Sequence, residues 1–270
     1  MAPPRARARL YLPARVGFRR AVSAVDAVWT GLWLGAMSRE DLNAVDASFY
    51  DGSGMFRSDA HNRRGLFDWE ERAIAAHFPP RGSLLVVGAG GGREMLALSG
   101  RGYAVEGFEC NPELVAFALD FLPREGCRPA PVRFLPRDQA PPEGGPYDAA
   151  LAGWSVYMLI AGRERRVAFL RGIRPRLRDG APLLISFFTR PFDAGRFRVV
   201  RMVAGAVRRL RGDEPVELGD DLAPNFVHRF TRAEVEAELA AGGFRLAGFE
   251  PQGPGLFDSG WAVALAETGA

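Results

Sequence analysis

The sequence predicts an α/β fold: a doubly wound, mostly parallel sheet with a C-terminal antiparallel hairpin and an N-terminal helical cap. Three observations carry that reading. From about residue 81, short apolar runs alternate with capped amphipathic segments, the pattern of parallel strands covered by helices on both faces. A glycine-rich turn joins the first apolar run directly to a helix. Near the end, the runs FRLAGFE and WAVALAE lie close enough to pair as a hairpin.

Taken in order, residues 1–15 read as a basic disordered arm, because Pro3, Pro4 and Pro13 interrupt alternating Arg and Ala that offer no apolar face. Residues 16–80 form the helical cap or lid. Its pattern is helical from about Val16 to Asp51, with Ser38 and Asp41 capping a second segment. Asp68, Trp69, Glu70 and Glu71 start a further helix that places Trp69, Ile74 and Phe78 on one face before Pro79 and Pro80 stop it.

Residues 81–190 form the core. The order is a strand SLLVVG, a helix from about Arg93 to Leu98, a strand YAVEGFE, and a helix opened by Asn111 and Pro112. A strand near Val132 to Leu135, the strand YDAALAGW, a helix from Glu164 to Leu177 and the strand APLLISFF follow. Residues 191–230 read as a cap insertion, in which Phe197, Val200, Val203, Val207 and Leu210 recur at helical spacing among arginines, followed by the loop DEPVELGDDLAPNF. Residues 231–270 return to the core: Thr231 and Glu234 cap a helix, Gly242 and Gly243 end it, and the two hairpin strands complete one structural domain.

Composition narrows the chemistry. The chain has 270 residues, and all 35 of its Lys and Arg positions are arginine. Without lysine there is no Schiff-base amine, no phosphate-binding P-loop lysine and no lysine general base. Cys110 and Cys127 are too few for a disulfide framework or a zinc set, which fits a reducing cytoplasm. The net charge of +3 owes much to the first twenty residues, so no uniform nucleic-acid surface is implied. Asp26 interrupts the apolar run after the arginines, arguing for an amphipathic helix rather than a signal core or a membrane span.

The chemistry-bearing segment is LLVVGAGGGREMLALSGRGYAVEGFE, residues 84–109. Glycines at 88, 90 and 92 let the backbone between strand and helix approach a ligand closely, with free N–H groups at the helix start. A dinucleotide fingerprint would need a third glycine or alanine at position 93, where this chain has Arg93. Glu109 ends the next strand, 21 positions after Gly88, where a carboxylate accepts ribose hydroxyls.

Together these features resemble the first motif and acidic strand end of class I S-adenosylmethionine-dependent methyltransferases of the small-molecule type, which share a Rossmann-like sheet. LPRDQAPP, PYDAALAGW, LRDGAPLLISF and FTRAEVEAELAAGGFRLAGFE are similar to later segments of that family, so the likeness runs from about Trp69 to Ala270. The resemblance implies S-adenosyl-L-methionine as cofactor and S-adenosyl-L-homocysteine as product. It places Gly88, Ala89, Gly90 and Gly92 along the methionine and ribose, Glu109 on the ribose with Cys110 beside it, Asp138 and Gln139 by the adenine, and Trp154 in the wall. One departure is Val86, where the family usually carries an acid; Glu94 or Glu70 are the acids available to compensate.

Methyl transfer by in-line displacement to an O, N or C nucleophile needs positioning, and a base only when the acceptor must lose a proton. His228, ahead of the last capped helix, is the candidate base and Tyr157 the next; His61 falls in a polar stretch read as solvent or lid, and His77 at a helix end. Tyr50, Asp51 and Asn62 are candidate lid contacts to substrate. The chain reads AGWS where amino-methylases of nucleic acids carry an N/D-P-P-Y motif, and neither cysteine follows a proline as cytosine C5 enzymes require. A small-molecule or natural-product acceptor is therefore expected. The arginines of 196–211 allow an anionic or carrier-bound acceptor or peripheral contact with a membrane surface. Two other readings are a nicotinamide-dependent oxidoreductase on a related sheet and a non-catalytic adapter.

Overall fold

A computed structural model describes residues 6–128, 132–192, 194–255 and 257–268. Strand β1 (Gly82–Val87) shows how the core is assembled. Side chains alternate across a strand, so Leu84 and Val86 pack on one face while Leu85 and Val87 pack on the other, all of them buried. On the first face lie helices α4 (Asp68–His77), α5 (Arg93–Ser99) and α6 (Pro112–Arg124), contributing Trp69, Met95 and Phe121. On the second lie α7 (Arg163–Ile173) and α9 (Arg232–Ala241), contributing Phe169, Leu170 and Leu239. Each such fully buried side chain stabilises the fold by roughly 1.5–3 kcal/mol.

Four more strands run parallel with β1 in the central region. β2 (Tyr103–Glu109) and β4 (Ala149–Ala152) flank it, β3 (Val132–Phe134) lies outside β2, and β5 (Pro182–Thr189) lies beside β4. The chain reverses order between β1 and β4, leaving a crevice at the carboxyl ends of the strands. β9 (Gly260–Ala266) pairs antiparallel with β5, and β8 (Phe244–Glu250) pairs antiparallel with β9, as the closing hairpin predicted.

The cap is built by α1 (Ala6–Ala36), α2 (Arg39–Gly52), α3 (Asp59–Asn62) and α8 (Gly195–Arg211). α1 crosses α8 at Gly31 and Gly35, where a Cβ would stand 2.8 Å from the Val203 Cβ and 2.6 Å from the Val207 Cβ. The missing side chains set how closely the helices approach. Ala27, Leu34, Leu42, Val200, Ala204 and Phe226 fill the space beneath. Among the described residues, no helix is long and apolar enough to cross a membrane.

Two local expectations change, and the start of one helix is filled in. Residues 1–5 of the expected disordered arm lie outside the described residues, whereas residues 6–15 are the opening turns of α1, because alanine and arginine are strong helix formers and outweigh Pro13. α4 starts at Asp68 as the sequence predicts, with Phe67 as N-cap and the Glu70 carboxylate accepting the Phe67 N–H at 2.6 Å. The stretch DEPVELGDDLAPNF is not all loop: β6 (Asp220–Leu222) pairs antiparallel with β7 (Phe226–Phe230), and β7 adds to β5 in parallel.

Candidate active site

At the carboxyl ends of β1, β2 and β4 lies a cavity of about 500 Å³, within the range of small-molecule sites. Its floor follows from the glycine turn. Gly88 and Gly90 have φ of +76° and +55° and Gly92 has +103°, a left-handed conformation that side chains resist. A Cβ on Gly88 would stand 2.2 Å from Val156 Cγ2, so the turn seats directly on the segment after β4. A Cβ on Gly90 would meet no protein atom within 4 Å, so a side chain there would project into the cavity.

Glu109, buried at the end of β2, is held by the turn it faces. Its Oε2 accepts the Gly90 N–H at 2.8 Å and its Oε1 accepts the Asn111 N–H at 2.8 Å. A carboxylate has about four acceptor positions, so lone pairs remain for a ligand. Beside it, burial pushes the Cys110 thiol up to about 12 and keeps it protonated. Asp138 forms the far wall with φ +63°, and its Oδ1 is buried without a hydrogen-bond partner among the described residues. Burial raises its pKa, partly opposed by Arg137. A buried acceptor without a donor costs free energy.

The roof comes from the cap. Tyr50, Asp51, Phe56, His61 and Asn62 line the cavity from α2, α3 and the intervening turn. Asn62 donates to the Phe56 carbonyl at 3.0 Å and the Ser58 carbonyl at 2.9 Å, shaping that turn. A Cβ on Gly91 would strike the Phe56 carbonyl at 2.4 Å and the Asn62 amide at 2.8 Å, so the roof rests on the glycine turn. Asn111 donates to Asp51 at 2.9 Å, tying roof to wall. Burial raises the pKa of the Tyr50 phenol, with Asp46 and Glu109 adding to the effect.

Gly88, Ala89, Gly90, Glu109, Cys110, Asp138, Gln139, Trp154, Tyr50 and Asn62 are thus brought to one cavity. Gly92 is not in its wall; it is the N-cap of α5 against the Leu122 side chain, and Gly91 takes the lining position. Neither base candidate reaches it. Tyr157 is wholly buried and donates to Glu238 at 2.6 Å, while His228 is buried with Nδ1 2.7 Å from Asp220 Oδ1. Arg166 binds Glu238 through Nη2 and Nε at 2.7 and 2.9 Å and Glu217 at 2.7 Å, completing a polar cluster under α7 and α9. His228 and Tyr157, expected as bases, are thus paired with acids and do not line the cavity.

The histidine in the wall is His61, set there because Ser58 caps α3 and turns its first residues under the roof. It is half-buried, its ring meets Phe56 at 5.7 Å, and burial together with the nearby Arg93 lowers its pKa below 6.5. Such a ring is neutral near pH 7 and accepts protons. The sequence signal available was its position beside Asn62, already a lid candidate.

Val86 is fully buried in the apolar layer, and charge near this end of the cavity is supplied by a cluster instead. Arg93 grips both Glu70 oxygens at 2.6 and 2.7 Å and Glu94 at 2.7 Å, with its guanidinium 3.9 Å from the Phe67 ring centre. Glu94 lines the cavity and also accepts the Trp154 N–H at 3.2 Å; Glu70 is buried and does not line it. Trp154 is oriented through its indole N–H to Ser259 at 2.9 Å.

No protein-family model and no curated protein matches the chain. Solved structures do match. A SAM-dependent methyltransferase from Methanosarcina mazei superposes with TM-score 0.59 at 18% identity, covering 76% of this chain and 100% of that one. The 1,6-didemethyltoxoflavin-N1-methyltransferase of Burkholderia thailandensis, solved with 1,6-didemethyltoxoflavin and S-adenosylhomocysteine bound, gives 0.55 at 17% identity over 84% and 87% of the two chains. The magnesium protoporphyrin IX methyltransferase of Synechocystis, with S-adenosylhomocysteine bound, gives 0.55 at 15% over 84% and 100%. The chain therefore has the Rossmann-like fold that these solved methyltransferases share.

Proposed function

We propose that the protein transfers a methyl group from S-adenosylmethionine to a small-molecule acceptor. The observation that carries this reading is the Glu109 carboxylate hydrogen-bonded to Gly90 N–H at the mouth of a glycine turn, with Asp138 lining the same cavity. Glu109 accepts the ribose hydroxyls on its remaining lone pairs, and Asp138 lies by the adenine. Gly88 to Gly91 leave room for the methionine portion, and Glu94, fixed by Arg93 and Trp154 N–H, is the acid nearest that end. The bound cofactor supplies an electrophilic methyl group on a sulfonium.

The acceptor occupies the space under Tyr50, Phe56, His61 and Trp154, an aromatic enclosure suited to a flat, partly apolar molecule. His61 takes the proton from an ionisable acceptor heteroatom as the bond to carbon forms. The enclosure aligns the nucleophile, and complete alignment supplies roughly 7–11 kcal/mol. A dehydrogenase reading has no support from Arg93, which is consumed in the Glu70–Glu94 cluster.

Calorimetry with S-adenosylhomocysteine and with NAD, on the wild type and Gly90→Val, tests the assignment. Homocysteine-nucleoside binding lost in the variant is expected; NAD binding alone would overturn it. Labelled methyl transfer into a fractionated extract then identifies the acceptor.

A further inference from the structure

The outer side of α1 carries an apolar stripe that none of the described residues covers. α1 meets α8 through Ala27, Thr30, Gly31 and Leu34. On the opposite side Tyr11, Phe18, Val22, Val25, Trp29 and Leu32 succeed one another at steps of seven, four, three, four and three residues. At 3.6 residues per turn these positions fall within an arc of about 80°. All six are exposed, Phe18 at 69% and Trp29 at 61%. Isolated exposed apolar residues are ordinary, but a continuous row of them marks a contact surface.

Charge decides what meets it. The chain has six arginines before Asp26 and no acid among them. Asp26 itself is taken up by Arg196 at 2.8 Å. Arg15 and Arg19 border the stripe on one side. A second copy of this helix would set like charges near one another, and a nucleic acid would leave Phe18 and Trp29 in water. An anionic lipid surface accepts both parts: the apolar ring faces enter the acyl boundary, Trp29 and Tyr11 sit at headgroup level, and the arginines reach the phosphates. We infer that the outer face of α1 docks the protein on an anionic lipid surface, lying in its plane. This goes beyond the methyl-transfer reading and does not depend on it.

The test is co-sedimentation of the full chain with phosphatidylcholine vesicles, with and without phosphatidylglycerol, at low and high salt. Binding is expected with phosphatidylglycerol, weakened by salt and absent from phosphatidylcholine alone. Arg15→Gln and Arg19→Gln should each lower the partition coefficient roughly fivefold, and the double variant Phe18→Ser, Trp29→Ser should abolish binding while circular dichroism and S-adenosylhomocysteine affinity stay at wild-type values. Equal binding to both vesicle types, or no binding at low salt, overturns the inference. So does a dimer in analytical ultracentrifugation that Phe18→Ser, Trp29→Ser converts to monomer, since a second copy would then cover the stripe.

Discussion

Two buried ionic clusters, built from the same kinds of side chains, stand on opposite sides of the question of activity. The Glu70–Arg93–Glu94 cluster borders the cavity through Glu94 and Arg93. The cluster of Tyr157, Arg166, Glu217, Asp220, His228 and Glu238 is larger and contains a histidine, yet none of its members lines the cavity. What separates them is placement on the sheet. The first follows the carboxyl end of β1, where strand order reverses; the second packs between α7, α9 and the β6–β7 hairpin. Residue types that suit acid–base chemistry serve as internal ties where their polar atoms pair with one another, although His228 Nε2 is left without a partner among the described residues.

The sharpest way to break this comparison is to exchange the two histidines' fates. His61→Asn is expected to lower the methyl-transfer rate to a hydroxyl or amine acceptor roughly 10²- to 10⁴-fold, with S-adenosylhomocysteine affinity unchanged by calorimetry. His228→Asn should leave that rate near wild type and destabilise the fold by about 1–3 kcal/mol, because Asp220 loses its buried partner. The opposite pattern in rates and urea midpoints would return catalysis to the second cluster.

Arg166→Met should cost about 3–5 kcal/mol in urea unfolding, since it strands Glu217 and Glu238 without their shared cation. The same variant is expected to bind S-adenosylhomocysteine as tightly as the wild type. A matching loss of affinity would show that the clusters communicate.

Glu109→Gln keeps the shape and removes the charge. Its Kd for S-adenosylhomocysteine should rise roughly tenfold to a hundredfold, while Tm changes little. An unchanged Kd would take Glu109 out of the ribose site.

A pH profile gives the smallest effect. Burial and then Arg93 disfavour the protonated His61 ring, so its neutral form persists into mildly acidic solution. The transfer rate should be flat near neutrality and fall only below pH 6.5, as His61 gains a proton. A midpoint above 6.5, or a limb that survives in His61→Asn, would assign the titration elsewhere.

Legibility in the sequence followed locality. The turn from Gly88 to Gly92, the acid at Glu109 and the caps at Ser38, Asn111 and Thr231 depend on neighbours within a few positions, and each is found in the structure. The cavity-facing histidine was legible only as solvent or lid, because His61 enters through the packing of α3 on Gly91, thirty positions along the chain. His228 looked available for the converse reason: its partner Asp220 stands in a segment read as loop, and only β6–β7 pairing brings the two together. Likewise Arg93 marked a departure from one fingerprint, but its grip on Glu70 needed the fold to appear.

Gly91 links chemistry to traffic. Because the Phe56 carbonyl and Asn62 amide occupy the space its side chain would take, the roof and the glycine turn meet face to face. On the proposed reading, spent cofactor would leave past the roof and the space the acceptor fills. The expected kinetic signature is a compulsory sequence, cofactor in before acceptor and product out before cofactor, visible as uncompetitive inhibition by acceptor analogues against S-adenosylmethionine.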